Sequence, residues 1–428
     1  MRRGMQDDSL GIFTLFSYGS IALPLSMLGL PLYIYLPTFY AQSVGLSVTM
    51  VGTILFLSRL TDVVTDPLVG HYSDHFVSRY GKRKPFIFFG SIVLVISFYA
   101  LIHPPQEYQA FWLLSFSMLV YLGWSIISIP YLAWSAEITS AYYEKTRLSA
   151  ARELFTILGA LGALLIPYLY GVSENAGESI GILYIAFVMA LIVMLPFTLF
   201  GTKDRASSPG NFIGFKEIKL LWKSIPQLRR LQIAFLFNSL ANALPATLFL
   251  FFVQLVIQEE GMTGALLLLY FTSGIIGLPF WTMLSKKTGK RKAWQVSMVL
   301  ASAAFIFVLF LGPGDVLAFG VISFISGLSL GADMALPSSI QADIVQKVQS
   351  QKASYAGILF GFWAMLTKLA LALAVGIGFV ILGLVGFDPK DPTSLALTTL
   401  SLLYGGLPVM IKIFAFWMMR GYNEKDYA

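Results

Sequence analysis

Apolar residues are gathered along this chain in long blocks separated by polar or charged connections. The blocks fall near residues 11–41, 48–72, 85–103, 109–136, 149–172, 179–201, 230–257, 262–284, 294–312, 315–344, 354–386 and 394–419. Each is about 20 residues or longer, enough for a helix to cross roughly 30 Å of hydrocarbon at about 1.5 Å per residue. The pattern predicts an all-α integral membrane protein with twelve transmembrane helices. Pro24, Pro31, Pro67, Pro130, Pro245, Pro279 and Pro337 fall inside these blocks, which membrane helices tolerate where neighbours satisfy the freed carbonyls. Hydrophobic residues make up 57% of the 428 positions and charged residues 12%, whereas a soluble domain carries roughly 25% charge. That is too little to cover a water-exposed surface. The apolar stretch after the polar first ten residues is too long for a signal-peptide core and ends in no small-residue cleavage site. The first helix is therefore expected to stay as an anchor.

Charge in the connections sets the expected orientation. Basic residues crowd alternate connections: Arg79, Lys82, Arg83 and Lys84, then Lys145 and Arg147. Lys203 through Arg230, Lys286 through Lys292, and Lys347 with Lys352 continue the series. The opposite connections carry Glu107, Glu174, Glu178, Glu259, Glu260 and Asp315, with Lys390 as their one basic residue. Both termini are thus expected in the cytoplasm. The net charge of +7 is explained by these topology-setting clusters and does not call for a nucleic-acid partner.

The polar stretch Gly201–Leu231 divides the blocks six and six. The expected organisation is an N-terminal bundle over 1–201, a cytoplasmic linker over 202–229 and a C-terminal bundle over 230–428. A repeat supports the division. Gly81-Lys82-Arg83-Lys84-Pro85 lies between the second and third blocks, and Gly289-Lys290-Arg291-Lys292-Ala293 lies at the matching place in the second half. A looser echo pairs Ile129-Pro130 and Glu137 with Leu336-Pro337 and Asp343. Tandem six-helix halves suggest rocking transport around a site near the bilayer midplane.

The second block carries Arg59, Asp62 and Asp66, at spacings that put all three on one helical face. A charge at bilayer depth costs several kcal/mol unless it meets a partner or a cavity, on the order of 2.5–3.5 on insertion scales. Two neighbouring carboxylates need something positive, or one must bind a proton. Na⁺, held by carboxylate oxygens and the neutral oxygen of Thr65, meets that need. So does H⁺, with the acids titrating as a coupled pair. The bland alternative is that Arg59 pairs with Asp62 to staple helices together.

The run Arg59-x-x-Asp62-x-x-x-Asp66-Pro67, followed by Gly70, Ser73-Asp74, Arg79 and Gly81-Lys82-Arg83-Lys84-Pro85, resembles the glycoside–pentoside–hexuronide:cation symporters. These are the melibiose permease-like proteins of the major facilitator fold, with the vertebrate lysolipid symporters as relatives. Similarity continues at Ile129-Pro130-Tyr131, Glu137-Ile138-Thr139, Arg147 through Arg152, Ala342-Asp343 and Lys368. The resemblance implies twelve helices in two pseudo-symmetric bundles and a cation site at Asp62, Thr65, Asp66 and Ser125. It places Ser26 and Ser128 where the sugar permease has its two sugar-binding aspartates, Trp124 at an aromatic position and Leu132 in place of a tryptophan. Arg152 and Lys368 match basic residues of the cavity.

Basic residues without the two acids would leave the cavity with surplus positive charge. The expected substrate is then a sugar or glycoside bearing an anionic group, or an anionic amphiphile, since arginine and lysine suit carboxylate and phosphate. A pair between Asp333 and Lys368 would instead leave it neutral. Lys412 is expected to snorkel towards the cytoplasm. Glu137 and Asp343 are expected to make gate contacts with Arg147 or with the two Gly-Lys-Arg-Lys turns, the first of them carrying Lys82 and Arg83.

Without cysteine, disulfides and thiolate chemistry are excluded. His71, His75 and His103 form no ligand spacing, and no hydrolase, nucleotide-loop or metalloprotease motif is present. No cofactor is expected beyond the coupling ion, Na⁺ or H⁺. The reading is a monomeric symporter of the bacterial inner membrane with a small-molecule substrate. A non-transporting assembly or sensor protein of the same fold and a membrane enzyme are the alternatives.

Overall fold

The computed structural model describes residues 9–29, 31–76, 78–172, 175–204, 220, 222–348, 355–387 and 391–423, without the side chains of Ile34, Gln42, Val48, Thr49, Asp62, Val63, Val64 and Glu260. Most of the expected linker, Glu174, Lys352, Lys390 and the side chains of Asp62 and Glu260 therefore lie outside the described residues.

The described residues contain no strand. Eleven helical runs among them are long and apolar enough to cross a membrane: α1 (Ile12–Ala41), α3 (Lys84–Ile102), α4 (Gln109–Ile138), α5 (Tyr142–Leu169), α6 (Ala176–Gly201), α7 (Pro226–Ile257), α8 (Thr263–Thr288), α9 (Lys290–Phe310), α10 (Val316–Val348), α11 (Ala356–Leu384) and α12 (Ser394–Arg420). Between the first two lies α2 (Val48–His75), 28 residues long, which carries Arg59, Asp62, Asp66 and Asp74. The expected block 149–172 begins earlier than its apolar edge. Helix α5 starts at Tyr142 and takes Glu144, Lys145 and Arg147 into its first turns.

Local chemistry accounts for the ends. Ser47 accepts from the Met50 N–H at 3.3 Å, Asn175 from Gly177 and Glu178, and Thr393 from Ala396, which are N-cap bonds. Pro85 and Pro226 stand in first turns, where no intrahelical N–H is needed. The helical runs α1 and α7, the first of each half, both widen into π-helical turns, at Pro31–Tyr35, Phe39–Ser43 and Phe252–Ile257.

Contacts divide the chain into two units, 1–213 with 345–365, and 214–344 with 366–428. The division differs from the expected halves in one respect: residues 345–365 belong to the first unit. The reason is close packing between α2 and the start of α11. A Cβ at Gly70 would collide with the Gly357 carbonyl, and one at Gly357 would collide with the Gly70 carbonyl. Asp74 also accepts from the Gly357 and Ile358 N–H groups at 2.8 and 3.0 Å.

The first unit's core is built on Tyr18, Leu28, Leu36, Tyr40, Leu94, Phe98, Leu113, Ile127 and Trp134, from α1, α3 and α4. The second unit's is built on Leu248, Phe252, Val308, Phe319 and Tyr404, with the Phe252 and Tyr404 rings stacked 4.2 Å apart. There α8 and α10 cross on small residues. A Cβ at Gly277 would collide with the Leu328 carbonyl and one at Gly327 with the Tyr270 carbonyl, while Trp281 Nε1 donates to Leu328 O at 2.7 Å. Membrane helices associate through such close approach, since lipid provides no hydrophobic drive between them.

The Gly277→Ala substitution is expected to lower the thermal unfolding midpoint in detergent, by an overpacking cost of about 1–3 kcal/mol. Gly264→Ala, where a Cβ meets open space, is the control and is expected to leave the midpoint unchanged or raise it slightly.

Candidate functional site

The polar face of α2 meets α4 at a buried carboxylate. Asp66 is 0% exposed, and its Oδ1 accepts from the Ser125 hydroxyl at 2.6 Å. Two residues that the resemblance assigned to one site are thus in direct contact. Thr65 is half-buried, and its hydroxyl makes no hydrogen bond among the described residues. Pro67 has no N–H to offer the Val63 carbonyl one turn earlier, so that backbone oxygen is released from the helix ladder. Gly361 passes over Asp66 with no side chain in the way; a Cβ there would stand 2.7 Å from the Asp66 carbonyl. Carboxylate, hydroxyl and carbonyl oxygens are therefore all present along one stretch of α2. This is the donor set that a hard cation takes. Asp62 lies one turn from Asp66 on the same helix, with its side chain outside the described residues.

Arg59 does not neutralise Asp66. Its guanidinium lies over the Tyr33 ring, 4.2 Å from the centroid, and its Nε donates to the Tyr121 hydroxyl at 3.4 Å. A cation over an aromatic face is stabilised without a counter-charge.

The residues expected to bind substrate are distributed over both units. Trp124 and Ser128 are half-buried, four apart on α4, with Trp124 against the first unit's core. Ser26 is half-buried beside Gly159 of α5, where any Cβ would collide with its hydroxyl, and it donates to the Leu23 carbonyl at 3.0 Å. Arg152 lies in the first unit; Lys368, half-buried on α11, lies in the second. The expected surplus charge at Arg152 is not found. Arg152 Nε donates to Glu153 Oε1 at 2.8 Å, and its Nη2 binds the same oxygen. Glu153 was missed because adjacent residues on a helix do not face each other.

The alternative, an Asp333–Lys368 pair, is also not formed. Asp333 Oδ2 accepts from Lys412 Nζ at 2.7 Å and from Asn242 at 2.9 Å, while Oδ1 accepts from the Trp294 indole at 2.8 Å. Lys412 also donates to Asn238 at 3.0 Å. Lys412 does not snorkel: it is 6% exposed and Asp333 is 8% exposed. Reaching an aqueous edge would cost Lys412 this ion pair and leave the acid alone in the interior. The signal for it in the sequence is that a buried acid such as Asp333 calls for a buried base, and Lys412 is one within the last apolar block.

At the basic end of the first unit the Gly-Lys-Arg-Lys turn closes a charge network. Gly81 has φ +106°, and a Cβ there would collide with the Asp204 carboxylate. Arg83 Nη2 binds Glu137 Oε1 at 2.6 Å and Asp74 Oδ1 at 2.7 Å, its Nε binds Glu137 at 2.9 Å, and its Nη1 donates to Ser73 at 2.7 Å. Burial alone would lower the Arg83 pKa, but the Glu137 and Asp74 carboxylates hold it above the ordinary value. Lys82 reaches Glu137 at 3.3 Å and Asp74 at 3.6 Å, and burial together with Arg83 lowers its pKa. Asp204 accepts from the Arg83 and Lys84 N–H groups, and burial raises its carboxyl above the usual range.

In the second unit Lys290 binds Asp343 at 2.5 Å, and Arg291 turns to the Tyr422 carbonyl at 2.8 Å. Of the expected contacts of Glu137 and Asp343, those with the basic turns are present in both units. Arg147 makes none with Glu137; it pairs with Glu144 at 2.9 Å and donates to the Leu10 carbonyl at 3.2 Å. Three residues separate Arg147 from Glu144 on one helix, which makes that acid the nearer partner.

Residues 17–424 match the family described as MFS/sugar transport protein. The chain is 25% identical to the symporter YnaJ of Bacillus subtilis (strain 168) over 410 residues, covering 92% of this chain and 88% of that protein. It is 24% identical to the sodium-dependent lysophosphatidylcholine symporter 1 of Gallus gallus, covering 95% and 86%. In fold it is similar to the Escherichia coli fucose:proton symporter FucP, with a TM-score of 0.66 at 11% identity over 94% of this chain and 98% of that one. A bacterial homologue of the iron transporter ferroportin in its outward-facing state gives a TM-score of 0.68 at 12% identity, over 96% and 99%.

Asp333→Asn or Lys412→Met alone is expected to destabilise the folded protein by about 3–5 kcal/mol, because each leaves one buried charge unpaired. The double substitution is expected to recover part of that loss. Unfolding by denaturant in micelles checks both. Gly81→Ala is expected to reduce stability at the basic turn, through its left-handed φ and the Asp204 collision, where Asp204→Ala relieves only the second.

Proposed function

Because this chain belongs to the MFS/sugar transport family, we propose that it is a cation-coupled symporter whose coupling ion is held by Asp66 and Ser125, with Thr65 and Asp62 completing the site. Membership makes it a multi-pass transporter of the cell membrane. In the proposed arrangement α2 is the twelfth span, and the basic ends and both termini face the cytoplasm.

The observation that carries the coupling site is the complete burial of Asp66 against a hydroxyl. A carboxylate at membrane depth is strongly disfavoured. It is stable when a cation or proton reaches it, and the Thr65 hydroxyl and the Val63 carbonyl add neutral oxygens for Na⁺. A proton would need only the carboxylate. Either ion discharges the acid, and the discharged site is then compatible with movement through the low-dielectric interior. By linkage, an ion that favours the substrate-binding form must bind more tightly when substrate is present.

The basic turn acts as the cytoplasmic latch in this reading. Asp74 is bound to Arg83 and at once accepts from the first free N–H groups of α11, where a helix N-terminus attracts negative charge. Arg83, just ahead of α3 and itself bound to Glu137 of α4, holds Asp74 in place. Alternating access requires that this contact open and re-form.

For the substrate, a sugar or glycoside is the first reading, with Ser26, Trp124, Ser128 and Arg152 as proposed contacts in the first unit and Lys368 as one in the second. The lysolipid symporter of Gallus gallus, similar over most of both chains, supports an amphiphile as the second.

Asp66→Asn is expected to abolish concentrative uptake of a radiolabelled glycoside into vesicles while the amount of protein in the membrane stays normal. Ser125→Ala is expected to raise the cation concentration for half-maximal uptake about tenfold, the loss of one hydrogen bond to a charged group. Accumulation against a gradient by Asp66→Asn contradicts the assignment.

A further inference from the structure

The first unit holds a buried acid that neither the coupling site nor the basic turn uses. Glu153 is 7% exposed and is bound to Arg152, itself 6% exposed. The two are consecutive on α5, and consecutive helical residues point about 100° apart. Both side chains therefore swing to a common point. Both members of the pair belong to one helix. What the pair changes is the charge that α5 presents at this level.

The surroundings are polar and shaped by two tyrosines. Arg152 and Ser135 are within hydrogen-bonding reach of the Tyr18 hydroxyl. Tyr18 donates to the Tyr131 carbonyl at 3.3 Å, and Tyr131 donates to the Tyr18 carbonyl at 2.8 Å, with ring centroids 4.8 Å apart. Helices α1, α4 and α5 thus converge on the ion pair. One turn further on, Thr156 donates to the Arg152 carbonyl, and two turns on, Gly159 meets Ser26. The pair and the Ser26 hydroxyl lie along the same face of α5.

We propose that Glu153 determines the charge selectivity of the substrate site, by neutralising Arg152 so that this wall favours an uncharged polyhydroxyl solute over an anion. The proposal rests on the reading above that Arg152 belongs to the substrate path. A guanidinium bound to a carboxylate offers both N–H donors and acceptor oxygens, which suits hydroxyl groups that donate and accept. An anion would compete with Glu153 for the same donors and be repelled by it. Without the Glu153 charge, Arg152 becomes a buried cation for which an anionic ligand is the natural partner.

The test measures equilibrium binding of para-nitrophenyl glucoside and para-nitrophenyl glucuronide to the purified full chain in nanodiscs. The two ligands differ in a hydroxymethyl against a carboxylate group. Binding is measured at saturating Na⁺ and again at acidic pH. The wild type is expected to prefer the glucoside. Glu153→Gln is expected to shift the glucuronide-to-glucoside ratio about tenfold towards the glucuronide. Arg152→Gln is expected to shift it the opposite way, and Glu153→Asp to keep the wild-type order. If Glu153→Gln does not accumulate, Arg152→Gln and Glu153→Asp carry the test. An unchanged ratio across the variants overturns the charge-selectivity role and leaves the symporter reading standing. Failure of the wild type to bind either glycoside, under both conditions, overturns the sugar reading and this inference with it.

Discussion

A carboxylate taken out of water must be met by something that replaces its hydration, and that constraint shapes both units of this protein. Each buried acid is answered differently. Asp74 and Glu137 share Arg83. Asp343 takes Lys290, Asp333 takes Lys412, and Glu153 takes its own neighbour Arg152. These pairs fix helices or tune charge within the fold. Asp66 is met by the Ser125 hydroxyl, on a helix whose ladder Pro67 has already interrupted. A carboxylate and a hydroxyl in contact are ligands of the kind a hard cation takes, and this is why coupling is proposed there.

The internal repeat shows how one motif serves two ends. Gly81 and Gly289 both hold positive φ, at +106° and +90°, and open the same basic turn. Seven residues before each glycine stand Asp74 and Thr282 respectively. With an acid at that place in the first unit, Arg83 is drawn inward and α11 is capped. With a threonine there in the second, Arg291 turns instead to the carbonyls of Arg420 and Tyr422. The carboxylate at that place distinguishes the first turn from the second. The close crossing of Gly70 and Gly357 allows Asp74 to reach the α11 N-terminus at all.

Much of the fold was legible because lipid demands long apolar blocks, and those blocks mark the helices to within a few residues. The exception is α5, whose charged first turns precede its apolar edge. The contact of Asp66 with Ser125 and those of the basic turns with Glu137 and Asp343 were legible from the resemblance and the repeat. Pairings over long separations were not. Lys412 and Asp333 are 79 residues apart, and no periodicity relates them. Glu153 was hidden for the opposite reason, because helical geometry argues against contact between neighbours and only side-chain reach overcomes it.

The central claim is that a mobile ion discharges Asp66, and infrared difference spectroscopy of the carboxyl stretch tests it most directly. Spectra of the purified protein would be recorded as Na⁺ is raised at fixed pH and as pH is lowered without Na⁺. The expected result is a carboxyl band that responds to at least one of the two ions and is missing from the Asp66→Asn protein. A carboxyl region indifferent to both ions, or a response that survives in Asp66→Asn, would contradict it.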